Sequence, residues 1–374
     1  MSEWPMVKLG EYCDVIMGQA PKGIDVNEDL IGLPVIAGAG DFSSIGVEVS
    51  KWTEKPTKTC IINDIILSVR ATVGTYRFAD RDYCLGRGVA SLRAKGNLDQ
   101  KYLSFVIDFY RAKLLSVARG ATFLQISKAD IETLMIPLPP LGEQKRIAEI
   151  LGGVANAIHT VEQQIETANQ LEKSLFNQFR RQYSALCSPI KNICKVQTGA
   201  TPSRKNSAYY DGGIPWVKTG EVNGGKIEET EEYITELAVQ ETNCRKFPIG
   251  TILVAMYGQG ATRGKVGILN CAAATNQACA ALIALACEDQ EYIFAVLRNC
   301  YDELRNLGRG GTQPNLNLTL VKNFEIPWPE EFAREEFSQK WRELDNLRHL
   351  LHRKLSLLQE LQKSLSTRAF AGLL

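Results

Sequence analysis

The sequence is short of the residues that most often carry catalysis. It holds only three histidines, His159, His349 and His352, too few for most acid–base triads. Its ten cysteines include no Cys-x-x-Cys pair, so no metal site is expected. No leader-like segment and no apolar run long enough to cross a bilayer is found, which predicts a cytoplasmic protein with no membrane partner. One stretch, Gly258-Gln259-Gly260-Ala261-Thr262-Arg263-Gly264-Lys265-Val266, approaches a phosphate loop. It places Gln259 where the first glycine belongs and Val266 where Ser or Thr must sit, which argues against nucleotide hydrolysis. No dinucleotide fingerprint or nucleophile elbow is present. Pro137-Leu138-Pro139-Pro140 lacks the polar residue with which a base methyltransferase grips a flipped adenine. These absences point to binding rather than catalysis, with no catalytic residue and no cofactor on this chain.

What the sequence does have is a long apolar seam. Between Leu141 and Tyr183, residues Ile147, Leu151, Val154, Ile158, Val161, Ile165 and Ala168 alternate four and three apart, the signature of one buried helix face. Leu171, Leu175 and Phe179 extend it after a small phase slip. A helix of about 40 residues is roughly 60 Å long, and a seam of that length needs a partner helix. The far end of the chain offers one, with Phe337, Leu344, Leu351, Leu358 and Leu365 at heptad spacing and Trp341, Leu347, Leu355 and Leu361 beside them.

The blocks before these helices are alike. Gly18 matches Gly199 and Pro34 matches Pro215, both 181 residues apart; Ile136-Pro137-Leu138-Pro139 matches Ile326-Pro327-Trp328-Pro329 at an offset of 190. Short strand-like runs punctuated by Gly, Asn and Asp predominate in each block. One helix is expected in each block before its final segment, near Leu98–Ala118 and Asp289–Leu307. The expected fold is therefore α+β: two tandem mixed domains, residues 1–140 and 185–331, separated by two long helices, residues 141–184 and 332–374, that form an antiparallel coiled coil with pseudo-twofold symmetry. Such symmetry suits a ligand with two separated sites, of which double-stranded DNA is the obvious example.

The net charge of +1 says little for a DNA binder, but the distribution says more. Residues 109–129, 242–287 and 304–324 hold basic residues and no acid, while acids gather elsewhere, as in Glu228, Glu229, Glu231 and Glu232. Arg and Lys neutralise phosphates, and Arg, Asn and Gln read purine edges through paired hydrogen bonds. The candidate DNA contacts are Arg70, Arg87, Arg119 and Gln125 in the first block. In the second they are Arg204, Lys205, Lys218, Arg263, Lys265, Arg309, Gln313 and Asn315. Trp216 and Tyr257 read as core rather than stacking groups. An alternative is a rod-like protein-interaction scaffold with no DNA role.

The duplicated pattern resembles the specificity subunit of type I restriction–modification systems. The residues that carry the resemblance are Gly199-Ala200-Thr201-Pro202-Ser203, Gly213-Ile214-Pro215-Trp216-Val217, Gly310-Gly311-Thr312-Gln313-Pro314-Asn315-Leu316 and above all Ile136-Pro137-Leu138-Pro139-Pro140-Leu141-Gly142-Glu143-Gln144-Lys145-Arg146-Ile147. The resemblance implies that each block is a target recognition domain reading one half of a split, asymmetric DNA sequence. It implies that the long helices set the spacing and bind two methyltransferase subunits, with Gln144, Lys145, Arg146, Arg348 and Lys354 as candidate contacts. Motor-nuclease subunits then join, and S-adenosylmethionine belongs to the methyltransferase partner. The chain departs from the family pattern at Pro329-Glu330-Glu331-Phe332-Ala333-Arg334-Glu335, where the Gly-Glu-Gln-Lys signature has decayed.

Overall fold

The computed structural model describes residues 4–43, 46–120, 124–258, 260–308 and 315–374. The chain forms two compact units, residues 1–162 with 353–374 and residues 163–352. Two long helices, Leu141–Gln182 and Glu331–Ala371, each give one half to either unit. The units therefore divide inside the helices, whereas the borders read from the sequence lie near the helix ends.

The first unit is built on a four-stranded antiparallel sheet, ordered Cys13–Met17, Val89–Ala94, Ile65–Ser68, Tyr76–Phe78. The second has the same order, Cys194–Thr198, Cys279–Ala284, Ile252–Ala255, Val266–Leu269, with Lys226–Ile227 added at the edge. The registers correspond pair by pair. Leu92 faces Val15 in one unit and Leu282 faces Val196 in the other; Ala90 faces Leu67 and Ala280 faces Val254. A one-residue slip would turn these apolar runs out of the core, so the shared register is a strong mark of duplication. In each unit a further strand, Leu33–Ile36 or Tyr210–Val217, pairs in parallel with Tyr83–Leu85 or Ala274–Thr275.

The expected helices before each final strand are present but broken. They run Gln100–Phe109 and Arg111–Val117 in the first unit, Gln290–Asn299 and Tyr301–Asn306 in the second. Tyr110 and Cys300 make the breaks, with ψ of 9° and 17°. No proline or glycine forces the bend. The break turns Leu114 and Leu304 fully into their cores, a tertiary gain that no local pattern announces. Both units also lock the strand before the long helix in the same way: the Tyr102 hydroxyl donates to the Pro137 carbonyl at 2.9 Å and Tyr292 to Pro327 at 2.6 Å.

Within each unit the two long-helix segments run antiparallel. In the second, Phe179 packs on Phe337 with ring centroids 4.5 Å apart, while Glu172 meets Trp341 and Arg348. In the first, Ile147 and Leu151 share a core with Ala369 and Phe370. The seam departs from the sequence reading at three positions. Leu171 is half exposed, and the buried position is taken by Glu172. Leu347 and Leu361 also lie outside the seam, on the exposed side. Glu172 accepts from the Trp341 indole at 2.9 Å and is ion-paired to Arg348, with Arg298 at 3.9 Å. Arg298 also binds Asp345 at 2.9 Å. One buried and one partly buried acid thus balance two partly buried arginines, which is the condition for tolerating charge in a helix seam.

Candidate nucleic-acid interface

In the first unit the structure gathers three of the expected contacts around one backbone junction. Gln125 bridges both Arg70 and Arg119, exchanging paired backbone bonds with Arg119 at 2.8 and 2.9 Å. The junction follows the strand Ile65–Ser68, and its next residue, Ala71, is held at a left-handed φ of 59° by a bond from its N–H to the Leu124 carbonyl. A non-glycine residue in that region stores strain of about 1 kcal/mol, here at the residue that follows Arg70. Arg87 sits at the tip of the turn Gly86-Arg87-Gly88. The flanking N–H groups donate to the carbonyls of Ile36 and Ala37, and a Cβ on either glycine would strike those same residues. Pro21, Lys51, Arg70 and Arg87 line one open cleft of about 660 Å³, and Arg70 also walls an adjoining cleft of about 620 Å³. Among the described residues, Arg70 and Arg87 form no ion pair, and both are exposed. Arg77, by contrast, is spent on the Ser43 carbonyl.

The second unit uses its charges differently. The guanidinium of Arg204 lies 4.5 Å from the Tyr210 ring centroid and 5.3 Å from that of Trp216, and is ion-paired with Glu232 at 2.6 Å. Lys218 binds Glu231 at 2.7 Å and Glu232 at 3.1 Å. The hydrogen bond from Arg204 holds the Glu232 carboxyl below the usual carboxylate range. The acidic run that reads as segregated from the basic loops therefore folds onto them. Strand Tyr233–Ile234 pairs with Tyr210–Val217, which carries Glu231 and Glu232 against Arg204 and Lys218.

Other expected contacts scatter. Lys205 and Asn315 are exposed. Lys265 reaches the Asn223 side chain at 3.2 Å, over a small cleft with Tyr301. Arg263 is buried, 9% exposed, although Gly260 and Ala261 before it are exposed, so the side chain is turned in from an exposed turn and offers a base little surface. Arg309 and Gln313 lie outside the described residues. Trp216 is core, as expected, but Tyr257 is 41% exposed, because the strand Ile252–Ala255 ends before it and only Met256 turns inward. The position corresponding to Arg87, 190 residues on, is Gln277, an exposed residue that motif reading passes over. Aligning the two blocks through their strands would have found it.

Gln144 is the clearest correction on the helices. It is fully buried. Its amide donates to the carbonyls of Asn97 and Pro139 at 2.8 Å, and its oxygen accepts from Asp99 N at 2.8 Å. It ties the helix start to its own domain and has no surface to offer a partner. In the second unit Arg334 stands in its place and donates to the Pro329 carbonyl and the Asp289 carboxylate, at the positions that match Pro139 and Asp99. Arg348 is likewise turned inward to Glu172. Lys145, Arg146 and Lys354 are exposed; Arg146 bonds Glu143 at 3.2 Å. The exposed faces carry leucines that seam reading assigned inward or ignored: Leu347 and Leu350 in the second unit, Leu357 and Leu361 in the first.

Comparison with known proteins decides the family. The family model described as type I restriction modification DNA specificity domain matches residues 1–170 and again 187–359. The chain belongs to that family. The two matches fall on the two repeats. A Methanocaldococcus jannaschii protein, the type I restriction enzyme MjaVIII specificity subunit, is 24% identical over 99% of this chain and 92% of its own length. A second protein of that organism, provisionally named as the MjaX specificity subunit, is 34% identical over 178 residues, 47% of this chain; that match spans 42% of the relative's length. The crystal structure of the type I system S subunit from M. genitalium shares the fold, with a TM-score of 0.68 at 17% identity, over 99% of this chain and 96% of that one. Among the described residues, no helix is long and apolar enough to cross a membrane.

Proposed function

We propose that this chain is the DNA-recognition subunit of a type I restriction–modification complex and is not itself an enzyme. Each unit reads one half of a split, asymmetric duplex sequence. The long helices hold the two readers at a set spacing and offer surface to two methyltransferase subunits, and motor-nuclease subunits can join that assembly. S-adenosylmethionine is held by the methyltransferase, and the complex acts on DNA in the cytoplasm. The observation that carries this reading is one scaffold built twice with different chemistry at corresponding positions. The cationic cleft around Arg70 and Arg87 has as its counterpart a charge-compensated site around Arg204, Lys218 and Glu232. Two such readers recognise two different half-sites.

Charge supports a subunit rather than a lone binder. Residues 1–143 carry 16 Lys and Arg against 17 Asp and Glu, and residues 184–331 carry 14 against 16. Domains this neutral release few counterions, so unaided affinity is modest and partners that clamp the duplex supply the rest. The scaffold alternative has no support in the comparisons. The test is a methylation map of cells expressing the chain with the methyltransferase subunit of its own system, against cells lacking the chain. A split motif that is modified only when the chain is present is the expected result. Identical methylation with and without it, despite recovery of the complex, would refute the reading.

A further inference from the structure

We propose that Arg87 and Gln277 are the corresponding specificity-determining residues of the two units, Arg87 reading a guanine in one half-site and Gln277 an adenine at the corresponding step of the other. This rests on the DNA-reading function above and names what each unit reads.

The two residues occupy the same place in the duplicated fold. Arg87 follows the strand Tyr83–Leu85 and leads into Val89–Ala94; Gln277 follows Ala274–Thr275 and leads into Cys279–Ala284. Each turn closes with an equivalent bond at 3.3 Å, Val89 N to Gly86 O and Cys279 N to Asn276 O. Each is braced by the same neighbouring loop, Gln19 N to Leu85 O at 2.8 Å and Ala200 N to Thr275 O at 3.0 Å. Gly18 and Gly199 allow that approach: an added Cβ would lie 2.1 Å from Gly86 O in one and 1.7 Å from Thr275 O in the other. The backbone is shared, both tips are exposed, and only the side chain differs.

The side chains differ in a way that matches base edges. The guanidinium fork of Arg87 donates twice, as the O6 and N7 acceptors of guanine require; the amide of Gln277 donates once and accepts once, as N7 and N6 of adenine require. Their surroundings follow the same division. Lys51 shares the cleft with Arg87, and the corresponding position in the second unit is Glu232. The match is fixed by the strand bonds: Val35 N to Lys51 O at 2.8 Å, Trp216 N to Glu232 O at 2.9 Å. Arg70 lines that cleft as well, against one acid, Glu28, and a wall of net positive charge favours an edge made of two acceptors. In the second unit the Glu232 carboxylate neutralises Arg204 and Lys218, so the position that matches Lys51 adds no free cation. The Thr201 hydroxyl donates to Gln277 Oε1; it orients the amide and leaves the NH2 and a second lone pair for the base.

The test is the methylation map of the full complex for the wild-type chain and for Arg87→Gln, Arg87→Lys and Gln277→Arg. The wild type should give a split motif. Arg87→Gln should remove or replace one guanine in one half-site and leave the other half-site unchanged. Gln277→Arg should do the same to one adenine in the other half. Arg87→Lys keeps the charge but not the fork, and should relax discrimination at the same guanine by roughly 5- to 150-fold. An unchanged motif in all three variants, full guanine discrimination in Arg87→Lys, or a uniform fall in methylation with no altered base would overturn the assignment. A variant that does not assemble would show the tip to be structural, with the same consequence. Absence of any split motif in the wild type would instead overturn the proposed function.

Discussion

Replacing Glu172 by alanine is the sharpest test of how the long helices are held in register. The carboxylate is 7% exposed and receives the Trp341 indole and the Arg348 guanidinium, with Asn299 at 3.3 Å. Arg348 and Arg298 are themselves largely covered, their side chains 16% and 18% exposed. Removing the acid leaves two largely covered cations facing Asp345 alone and an indole N–H without its acceptor. Breaking a buried pair from one side costs about 3–5 kcal/mol. For a unit near 190 residues this lowers its Tm by roughly 6–20 °C, at about 2–4 °C per kcal/mol. The assay is urea unfolding of the full chain followed by tryptophan fluorescence, since Trp341 reports directly on the site. The double variant Glu172→Leu with Arg348→Met removes a charge of each sign and should recover much of the loss, whereas additive costs would mean the two residues do not act as a pair. A cost under about 0.5 kcal/mol for Glu172→Ala would refute the claim that this charge belongs to the seam.

Gln144→Ala leaves one buried and two part-buried backbone groups without their side-chain partner and should destabilise the first unit by about 1–3 kcal/mol; thermal unfolding checks it, and a loss confined to methyltransferase binding with unchanged Tm would show that the residue faces the partner after all. Burial pushes the Asp64 carboxyl upward, but hydrogen bonds from Arg93 and Ser91 outweigh burial and hold it below the usual range. Its stabilisation is therefore complete above the ordinary aspartate value and lost as pH falls through the depressed one; Asp64→Asn should be less stable at neutral pH and flatten the acid limb of a pH–stability curve. Arg70→Ala should weaken duplex binding by about 1–3 kcal/mol and reduce the salt slope by about one, measured by fluorescence anisotropy across salt concentrations. Leu350→Glu and Leu357→Glu alter side chains that are 66% and 57% exposed. They should leave Tm unchanged yet reduce recovery of the methyltransferase complex in gel filtration.

Much of the architecture was legible in the sequence. The offsets of 181 and 190 residues, the heptad leucines and the Pro-flanked strands are local and periodic, and period decides which face of a helix or strand is buried. The lack of catalytic motifs, together with the duplicated signature, pointed to a family that the comparisons bear out. What could not be read was where charges end up. Glu231 and Glu232 are distant from Arg204 in the chain and reach it only because two strands pair. Glu172 replaces Leu171 in the seam because arginines from two other helices supply its partners. Gln144, conspicuous in the signature, turned inward because its amide is the right length to tie three backbone groups at the helix start. Arg87 and Gln277 share no residue type, so motif reading could not align them; the register of the flanking strands does. Sequence period therefore determined the elements, their order and their duplication. Only tertiary pairing decided which charges cancel and which stay open to a ligand, because a charge is set by its neighbours in space.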